Sequence, residues 1–398
     1  MDGLAYLFER FPSYTQTFCF REIAELQRQA TVPLLFSIRH PGNEPKGDPE
    51  MSFPEVNYLP ADEEVVREVD RALRKRRLPE PVANEITNWG RKTDFLRLYQ
   101  ATWLGPRLRD QGIKHLHAHF AGLAARTAYW IDRFFGIGFS FTAHANDIFA
   151  PKPFEISLGK LFEAARAVVT VSDFGVQFLR EKFPSQSEKI ERVYNGIEPE
   201  KFSIADFVVQ PPVLISVGRL IEKKGFADLI EACRFLNERK IRFRCEIIGE
   251  GPLEQSLRAQ IHSASLENLV VLTGALPQGE VRRRLAGSAI FVLPSVSETE
   301  GGMDNLPTVI MEAMASGLPV VSTRVAGIPE MVQDQITGML LPEHQPRVLA
   351  ERLESLLADK ALLHSLGDAG RARAADLFAI DKNVQKLRSL FSRLIASS

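Results

Sequence analysis

The chain has few cysteines, no long apolar run and almost no net charge, and each absence excludes a class of protein. Its 398 residues include three cysteines, an odd number, which favours buried thiols in a reducing compartment over a disulfide framework. No stretch approaches the roughly 18 uninterrupted apolar residues of a membrane-spanning helix. The start of the chain lacks the basic region and apolar core of a signal peptide, so we expect a cytoplasmic protein. A net charge of -1 gives no general attraction for nucleic acid.

Motifs for two kinds of bound group are also missing. The loop Glu9–Thr17, after the first apolar run, contains none of the glycines of a dinucleotide-binding fingerprint, which argues against NAD. No Asp-x-Asp motif falls in a loop, and Glu68-Val69-Asp70 lies in a segment interpreted as a solvated helix. His117 and His119 form a His-x-His pair, but the sequence shows no third ligand near them. We therefore expect neither a metal nor a cofactor.

What the chain does have is a regular alternation of short apolar runs with segments of helical periodicity. The candidate strands are Leu4–Phe8, Val32–Ile38, His115–His117, Phe139–Thr142, Ala167–Val171, Ile190–Val193, Val213–Val217, Phe243–Ile248, Leu269–Leu272, Ala289–Leu293, Pro319–Thr323 and Met339–Leu341. Such alternation predicts parallel sheets covered by helices on both faces, and twelve strands are too many for one such sheet. The aperiodic stretch Asn195–Pro212 divides the strands into six and six.

The predicted fold class is therefore α/β, with two Rossmann-like, doubly wound domains facing each other across a cleft. We assign residues 1–196 to the first domain and 197–376 to the second, and expect a last helix, residues 377–398, to pack back on the first. Domains of this kind bind ligands at the carboxyl ends of their strands. Residues 41–90 do not fit the alternation. They contain a basic segment, Val65–Leu78, interpreted as a solvated helix or as a peripheral contact with the inner face of an anionic membrane.

The tract Pro294–Gly317 carries the clearest chemical signal. It follows an apolar run as a Gly-rich, acidic loop and then opens a helix. Unpaired N–H groups at a helix start, with glycines beside them, form an anion site. Asp304 and Glu312 bracket this helix start, about 10 Å apart by the helical rise per residue, which suits a sugar–diphosphate–ribose. Arg219 and Lys224, in a loop after an earlier strand, supply two cations for a diphosphate.

Other polar residues near these positions have two interpretations each. Lys223, Glu298 and Glu300 are interpreted as solvated charges. Glu312 lies among apolar helix residues and needs a polar partner, either a ligand or a structural ion pair. His144 directly follows a strand and therefore faces the carboxyl-end cleft, although a hydrogen-bonded core histidine is the alternative.

Several segments resemble the family 4 glycosyltransferases, which are retaining, nucleotide-sugar-dependent enzymes of the GT-B fold. In family order they are VYNGI (Val193–Ile197), SVGRLIEKKG (Ser216–Gly225), IIGEGP (Ile247–Pro252), LTG (Leu272–Gly274) and the tract after Pro294. The N-terminal RFPSYTQTFCFREIAEL and the internal FSIRHP, HAHFAG and FTAHANDIF are similar to the branch that builds bacterial exopolysaccharides and colanic-acid-type polymers.

The resemblance implies that a hexose moves from a UDP- or GDP-sugar to a saccharide or lipid-linked saccharide, with retention and without metal or cofactor. The residues it assigns to catalysis are His144, Arg219, Lys224 and Asp304. The residues it assigns to the donor are Gly218, Arg219, Lys224, Gly249, Gly274, Gly302, Met303, Asp304, Asn305, Leu306 and Glu312. Those expected at the acceptor are Thr15, Gln16, Thr17, His119 and Asp147.

The chain departs from the family pattern at two positions. Asp304 stands where the family usually has glutamate, and Gln16 stands where this branch commonly has glutamate. These changes motivate an alternative, a non-catalytic subunit that binds nucleotide sugars in a polysaccharide assembly complex. A nucleotide-sugar epimerase or a phosphorylase on the same fold is a second alternative, although no pyridoxal-binding lysine motif is apparent. The presence of His144, Arg219, Lys224 and Glu312 argues against the non-catalytic subunit and favours the transferase.

Overall fold

The computed structural model describes residues 3–13, 16–41, 53–90, 92–150 and 153–397. The described strands are β1 (Leu4–Arg10), β2 (Leu34–Arg39), β3 (Val56–Tyr58), β4 (His115–His119), β5 (Gly138–Ala143), β6 (Ala167–Thr170), β7 (Ile190–Arg192), β8 (Val213–Val217), β9 (Arg244–Ile248), β10 (Val270–Gly274), β11 (Ile290–Leu293), β12 (Val320–Thr323) and β13 (Gly338–Leu341). All twelve expected strands are present, with ends that differ by one or two residues.

Helices connect nearly all of these strands. The α-helices are α1 (Thr17–Arg28), α2 (Asp62–Arg74), α3 (Glu80–Trp89), α4 (Phe95–Asp110), α5 (Leu123–Phe135), α6 (Ala145–Ile148), α7 (Leu158–Ala164), α8 (Asp173–Lys182), α9 (Phe226–Glu238), α10 (Glu254–Ser263), α11 (Gln278–Ala286), α12 (Thr308–Ala315), α13 (Ile328–Met331), α14 (Pro346–Ala358), α15 (Lys360–Leu377) and α16 (Ile380–Ala396). Among the described residues, no helix combines the length and apolar character needed to cross a membrane.

The chain forms two compact units, each built on one parallel sheet. The first unit contains Met1–Val171, Gly175–Val193 and Asp381–Ser398, and the second contains Ser172–Phe174 and Tyr194–Ile380. The first sheet has the order β3-β2-β1-β4-β5-β6-β7 and the second the order β10-β9-β8-β11-β12-β13. Both orders grow outward from a central pair of strands, which is the doubly wound arrangement expected from the alternation. The α/β fold class is confirmed.

The strand that sequence analysis missed is β3, in the segment that did not fit the alternation. It is only three residues long, half-buried to exposed, and lies at the edge of the first sheet beside β2. An edge strand has a neighbour on one side only and needs few apolar residues, so it leaves a weak pattern in the sequence. The Asn57 side chain ties it to the sheet by donating to the Leu35 carbonyl at 3.2 Å.

The basic segment after β3 begins as the amphipathic helix α2, which is not solvated on all sides. Val65 and Val69 are buried in the core of the first unit. Two acids of the same helix accept hydrogen bonds from α4: Asp70 from the Tyr99 hydroxyl and Glu68 from the Trp103 indole N–H. The interpretation of Glu68-Val69-Asp70 as a fully solvated triplet was therefore wrong, because aromatic donors on α4 cover one side of the helix.

The last helix, α16, packs within the first unit although its sequence follows the second. Phe391 is buried, and its ring lies 5.0 Å from that of His117 and 5.9 Å from that of Tyr6. The Arg388 guanidinium donates to the Thr31 hydroxyl at 2.9 Å. The apolar stripe of α16 thus covers one face of the first sheet, where Val384 and Leu387 are also buried.

Candidate functional site

Each sheet has a point where the strand order reverses, and the polar residues singled out in the sequence follow the strands around these points. In the first sheet the reversal lies between β1 and β4, and in the second between β8 and β11. Parallel doubly wound sheets bind ligands outside the carboxyl ends of their strands at such points. His119 ends β4, Arg219 and Lys224 follow β8, and Asp304 follows β11. Two candidate sites result, one in each unit.

The centre of the second-unit site is an ion-pair cluster around Asp304. The Lys224 ammonium lies 2.6 Å from Oδ2 of Asp304, and the Lys223 ammonium lies 3.8 Å from Oδ1. The Ser295 hydroxyl donates to Oδ2 at 3.5 Å. The side chains of the two lysines and Asp304 are only 9–13% exposed. Together these three residues carry a net charge of one positive unit, which suits an anionic ligand.

The interpretation of Lys223 as a solvated loop charge was wrong. Residues Glu222–Lys224 form a short 3-10 helix that ends at Gly225, and this turn folds the loop back onto the end of β11. The Lys223 carbonyl accepts a hydrogen bond from the Val296 N–H at 3.0 Å. The lysine side chain therefore enters the site with that of Lys224, a consequence of tertiary packing that the linear sequence does not show.

Two glycines allow the loops of this site to approach each other. Gly225 has φ +66°, and a Cβ there would lie 1.8 Å from the Pro294 carbonyl oxygen at the end of β11. Gly249 has φ +143°, and a Cβ there would lie 1.9 Å from the carbonyl oxygen of Gly218. Only glycine fits such contacts, because both the conformation and the space exclude a side chain. The Gly249 N–H donates to the Gly274 carbonyl at 2.9 Å. Gly218, Gly249 and Gly274 thus lie side by side at the carboxyl ends of β8, β9 and β10.

The start of α12 presents a buried amide that lacks one partner. The Asn305 side chain is 2% exposed; its oxygen accepts from the Ser172 hydroxyl, and its Nδ2 has no hydrogen-bond partner among the described residues. A buried, unpaired N–H donor costs free energy unless a ligand accepts its hydrogen. Pro307 is the residue that caps α12 and has no N–H of its own. The residues before α12 thus include one buried donor, Nδ2 of Asn305, that is open to a ligand, and the anion site itself stays a prediction.

The remaining donor-site candidates lie around the same helix. Glu312 is 3% exposed, and its Oε2 accepts from the Gln278 amide at 3.1 Å. Sequence analysis missed Gln278, which starts α11. Of the other residues named in the sequence analysis, Leu306 and Gly302 are buried, and Arg219 and Glu300 are exposed. Met303 and Glu298 are half-buried, and the Glu298 carboxylate lies against Gly302.

In the first unit, β4 places three histidines on one face of the sheet. His115 and His117 both bond to the Ser140 hydroxyl at 2.8 Å, and His117 also bonds to the Thr142 hydroxyl at 3.0 Å. Burial lowers the pKa of His115 to about 3 and that of His117 well below its ordinary value. These two side chains are therefore neutral, hydrogen-bonded members of the core.

His119 lies at the centre of a second group of polar side chains. Its Nε2 is 3.1 Å from Glu22 Oε1, its Nδ1 is 3.5 Å from His144 Nε2, and it is 1% exposed. The Tyr6 hydroxyl donates to the same Glu22 oxygen at 2.7 Å. His119 is thus enclosed by protein groups and is not exposed to an acceptor saccharide. Sequence analysis missed both Tyr6 and Glu22.

The expectation that no third group lies near the His-x-His pair was also wrong. Candidate ligand atoms of Glu22, His117 and His119 lie within 4.8 Å of one another. Glu22 lies on α1, almost a hundred residues before His119, so its approach depends on the fold. Both nitrogens of His117 are already bonded to the Ser140 and Thr142 hydroxyls, and the arrangement is therefore that of a hydrogen-bonded cluster.

The loop after β5 holds His144 and Asp147 in fixed positions. The Asp147 carboxylate accepts from the His144 backbone N–H at 2.9 Å, and the Asp147 N–H donates to the His144 carbonyl at 2.9 Å. Burial raises the pKa of Asp147 to about 6. The rings of Phe18 and Phe120 lie 4.7 and 4.5 Å from the His144 ring. His144 itself is 9% exposed, the most accessible histidine of this group.

The expected acceptor residues at the start of α1 are only partly described. Thr15 lies outside the described residues. Gln16 is half-buried, caps α1, and has a buried side-chain oxygen without a hydrogen-bond partner among the residues the structure describes. Thr17 begins the helix and is half-buried. Phe18, two residues after Gln16, is on the same helix and packs its ring 4.7 Å from that of His144.

Two family models match the chain. The model described as "Glycosyltransferase Family 4" matches residues 61–201, and that described as "Glycosyl transferases group 1" matches residues 198–373. The amylovoran biosynthesis glycosyltransferase AmsK of Erwinia amylovora is 40% identical over 210 residues, 52% of each chain. The putative colanic acid biosynthesis glycosyltransferase WcaL of Escherichia coli K12 is 41% identical over 196 residues, 49% of this chain and 48% of that one. The alignments thus span about half the length of these curated relatives.

Solved structures with low sequence identity share the fold. Sucrose-phosphate synthase from Thermosynechococcus elongatus superposes with a TM-score of 0.75 at 17% identity and covers 99% of this chain and 100% of its own. Anabaena Alr3699/HepE in complex with UDP and glucose superposes with a TM-score of 0.70 at 16% identity, covering 98% and 99%. The architecture is that of a GT-B glycosyltransferase. The chain belongs to the family 4 glycosyltransferases, in the branch that contains AmsK and WcaL.

Proposed function

We propose that this protein transfers a hexose from a nucleotide-diphosphate sugar to a saccharide or lipid-linked saccharide in the synthesis of a cell-surface polysaccharide. The observation that carries the proposal is the buried cluster of Lys223, Lys224 and Asp304 beside the unpaired Asn305 amide, at the strand-order reversal of the second sheet. The names of AmsK and WcaL support the polymer class, and the UDP and glucose bound to HepE support the donor class.

In this proposal the donor's parts are divided among three groups of residues. The diphosphate binds Lys224, Arg219 and the donors at the start of α12, since cations and helix N-termini favour phosphate. Glu312, buried and presented by the Gln278 amide, accepts from the ribose hydroxyls. Asp304 turns from Lys224 toward the sugar once the diphosphate takes its place on the ammonium. The donor-free ion pair therefore keeps the site assembled between turnovers.

The chemistry proposed is front-face transfer with retention. The bond between the anomeric carbon and the diphosphate oxygen breaks, and the acceptor oxygen bonds to the same face of that carbon. The acceptor's proton passes to the departing phosphate oxygen, so no protein nucleophile is needed. Lys224, Arg219 and the helix start stabilise the negative charge that grows on the diphosphate. These cations supply the charge neutralisation, and metal-independent catalysis is part of the proposal.

The first unit is proposed to hold the acceptor near Gln16, Thr17 and His144. Gln16 offers its unpaired carbonyl oxygen to an acceptor hydroxyl, where a glutamate in the same position would offer a carboxylate. His119 and Asp147, expected at the acceptor from the resemblance, are proposed to act indirectly. Their side chains bond to Glu22, His144 or backbone groups, and each helps to hold His144 in place.

Asp304 and Glu312 are expected to fail differently when each is neutralised. Glu312→Gln should weaken free UDP or GDP and the sugar nucleotide alike, by roughly 10- to 150-fold, the value of one charge-assisted hydrogen bond. Asp304→Asn should bind free nucleotide at least as well as wild type, because it releases Lys224 from its ion pair, but should lose sugar-nucleotide affinity or turnover. Isothermal titration with nucleotide and sugar nucleotide measures both.

Asp304→Glu is the matched control, because it keeps the charge and restores the residue usual in the family. Asp304→Asn removes the carboxylate and also leaves the buried lysines without their partner, and this second effect would itself destabilise the unit. Asp304→Glu keeps the lysines paired and so separates the two effects. Equal loss of free nucleotide in Asp304→Asn and Glu312→Gln would contradict the assignment of the two ends of the donor site. Donor binding without hydrolysis or transfer would identify a non-catalytic subunit, and conversion of the sugar without an acceptor would identify an epimerase.

If the acceptor is lipid-linked, the exposed arginines of α2 are expected to draw the protein to anionic vesicles. Arg67, Arg71 and Arg74 are exposed, and each adds about 1 kcal/mol near such a surface. Replacing all three by glutamine should abolish co-sedimentation with phosphatidylglycerol vesicles at low salt, whereas Arg282→Gln and Arg283→Gln on α11 should not. Wild-type protein that stays in the supernatant would exclude this contact.

A further inference from the structure

Arg97, in the first turn of α4, is a buried cation. The residue is 3% exposed, and among the residues the structure describes its Nη1 has no hydrogen-bond partner and no carboxylate forms an ion pair with it. An arginine is seldom buried in this way, because an uncompensated charge in the interior is costly. A cation at the start of a helix also opposes the helix dipole. Such an arrangement suits a residue whose counter-ion is part of a ligand.

Arg126, on α5 of the same unit, shows how a structural arginine is buried. It is 2% exposed. Its Nε donates to the Ile156 carbonyl at 2.9 Å, and its Nη1 donates to the Gly122 carbonyl at 3.0 Å and to the carbonyl of Ala121. These hydrogen bonds offset the cost of burying the charge. Nη1 of Arg97 has no such bonds to the described residues, so its burial needs another explanation.

The charged groups that act on the guanidinium of Arg97 are Asp62, Arg39, Glu9 and Asp94. Burial is the largest effect and lowers the pKa of Arg97, and the three carboxylates do not offset it. Two of these carboxylates accept hydrogen bonds from other groups. Asp62 accepts from a side-chain amide of α4 at 2.8 Å, and Asp94 accepts from a backbone N–H at 3.1 Å. The third, Glu9, lies at the end of β1.

Glu9 occupies a place that suits an anion. Its Oε1 lies 3.6 Å from Nη1 of Arg39, and a Cβ on Gly122 would lie 3.7 Å from its Oε2. Gly122 is the N-cap of α5 and has no side chain to accept from the first N–H groups of that helix. Unpaired N–H groups at a helix start favour an anion. The place lies at the strand-order reversal between β1 and β4, where a doubly wound sheet binds its ligand.

The charge of Glu9 also acts on Asp147, which lies in the loop that holds His144. Burial is the main cause of the raised pKa of Asp147, and Glu9 adds to it. Glu9 and its neighbours therefore border the place proposed above for the acceptor, so that a group bound there can belong to the acceptor saccharide.

We propose that Arg97, Arg39 and the start of α5 bind an acidic group of the acceptor saccharide, a carboxylate or a phosphate, and that Glu9 holds this place in the free protein. The planar guanidinium fork matches both kinds of group. Assignment of the acidic group to the acceptor rests on the proposed function, whereas the binding of an anion at this place does not. The enzyme then selects acidic acceptors over neutral ones of the same size.

The direct test is nitrogen NMR of the full chain labelled with 15N-arginine, with UDP added in excess to occupy the phosphate-binding groups of the second unit. The probes are methyl glucuronide for a carboxylate, glucose 1-phosphate for a phosphate and methyl glucoside as the neutral saccharide. The Arg97→Met and Arg39→Gln variants assign the signals. We expect one or both anions to shift the signals of Arg97 and Arg39 saturably, and the glucoside to leave them unchanged. The anion with the higher affinity identifies the acidic group.

Three variants separate a ligand-binding arginine from a structural one. Arg97→Met should lose anion affinity by roughly tenfold or more. Its melting temperature without ligand should be no lower than that of wild type, because the change removes a buried, uncompensated charge. Arg126→Met should lower the melting temperature, because it breaks the hydrogen bonds of a satisfied arginine. Glu9→Gln should tighten anion binding, because it removes the competing carboxylate.

Arg109→Gln is the matched control, because Arg109 is an exposed arginine in the last turn of the same helix. It should change neither the anion affinity nor the activity. In a transfer assay, Arg97→Met should raise the KM for an acidic acceptor by roughly tenfold or more and leave the donor KM unchanged. Arg97→Lys, which keeps the charge, should recover part of the lost affinity.

Four results would overturn the inference. These are anions that leave the Arg97 signals unchanged, an equal response to methyl glucoside, weaker anion binding in Glu9→Gln, and a melting temperature that falls as far in Arg97→Met as in Arg126→Met. Binding is measured without turnover, so a protein without transferase activity would fail the proposed function and still test this one. A transferase whose Arg97 signals ignore both anions would fail this inference and keep the proposed function.

Discussion

Lowering the pH from 6.5 to 5 is expected to remove about 4 kcal/mol of stability from the first unit, with a much smaller effect on the second. The cause is three buried, neutral histidines: burial holds the pKa values of His115, His117 and His144 below their ordinary value. Unfolding exposes these side chains, which then bind protons below about pH 6.5. Among the residues described in the second unit, all three histidines are exposed.

The sign and size of this loss of stability follow from the difference in protons bound by the unfolded and folded states. A depressed histidine pKa contributes stability that is present above the unfolded value and is lost as the pH falls toward the folded value. Three such groups give a slope of about 2 kcal/mol per pH unit at pH 6.5, which approaches about 4 as the unfolded histidines become fully protonated. Asp147, whose pKa is raised to about 6, binds a proton in the folded state and lowers the slope to about 3 below that pH. His119 is protonated in both states there; its contribution is full below about pH 6.5 and disappears toward pH 10.

Tryptophan fluorescence measures this effect in one unit, because all three tryptophans, Trp89, Trp103 and Trp130, belong to the first. Urea unfolding followed by this signal should shift steeply to lower urea between pH 6.5 and 5. His115→Gln should reduce the slope by about 1.4 kcal/mol per pH unit, whatever its effect on absolute stability. A tryptophan transition that does not move over this pH range would contradict the burial of neutral histidines.

Replacing Lys224 by alanine is expected to lower kcat by about 10²-fold or more, with a smaller change in donor KM. Negative charge on the departing diphosphate is greater in the transition state than in the bound donor, so a contact with that group contributes mainly to kcat. Steady-state kinetics with the sugar nucleotide and a saccharide acceptor measure the two parameters separately.

The structure requires a control for this prediction, because Lys224 also pairs with Asp304 at 2.6 Å. If Lys224 served only to hold Asp304, the double variant Lys224→Ala/Asp304→Asn would be no worse than Asp304→Asn alone. A phosphate contact instead makes the double variant worse than Asp304→Asn. Lys223→Ala, which removes the more distant partner of the same carboxylate, should reduce kcat less. A Lys224→Ala enzyme within twofold of wild type would exclude the leaving-group role.

Much of the fold was predictable because its signals are local. Apolar runs of three to seven residues, separated by helical periodicity, mark buried parallel strands whatever their partners, and all twelve such runs became strands. β3 escaped because an edge strand with little buried surface leaves no such run. The family motifs in correct order likewise identified the fold class and the loops that carry the donor-site candidates.

The positions of the site residues along the chain were predictable for a related reason. In a parallel sheet all carboxyl ends share one edge, so residues that follow strands are brought to that edge of their own sheet without knowledge of the detailed packing. Lys224 and Asp304 are examples in the second sheet, and His144 is one in the first. The sequence also showed that Glu312 would be a buried carboxylate in need of a partner.

Only the tertiary structure decided which of these side chains contact each other. The ion pair of Asp304 with Lys224 joins loops eighty residues apart, and it depends on a turn at Gly225 that also buries Lys223. Glu22 reaches His119 across ninety-seven residues because the fold brings a side chain of α1 to the end of β4. Local sequence sets periodicity and backbone conformation, whereas the protonation state of a histidine or the partner of a lysine depends on burial and on charges supplied by distant segments, and these exist only in the folded chain.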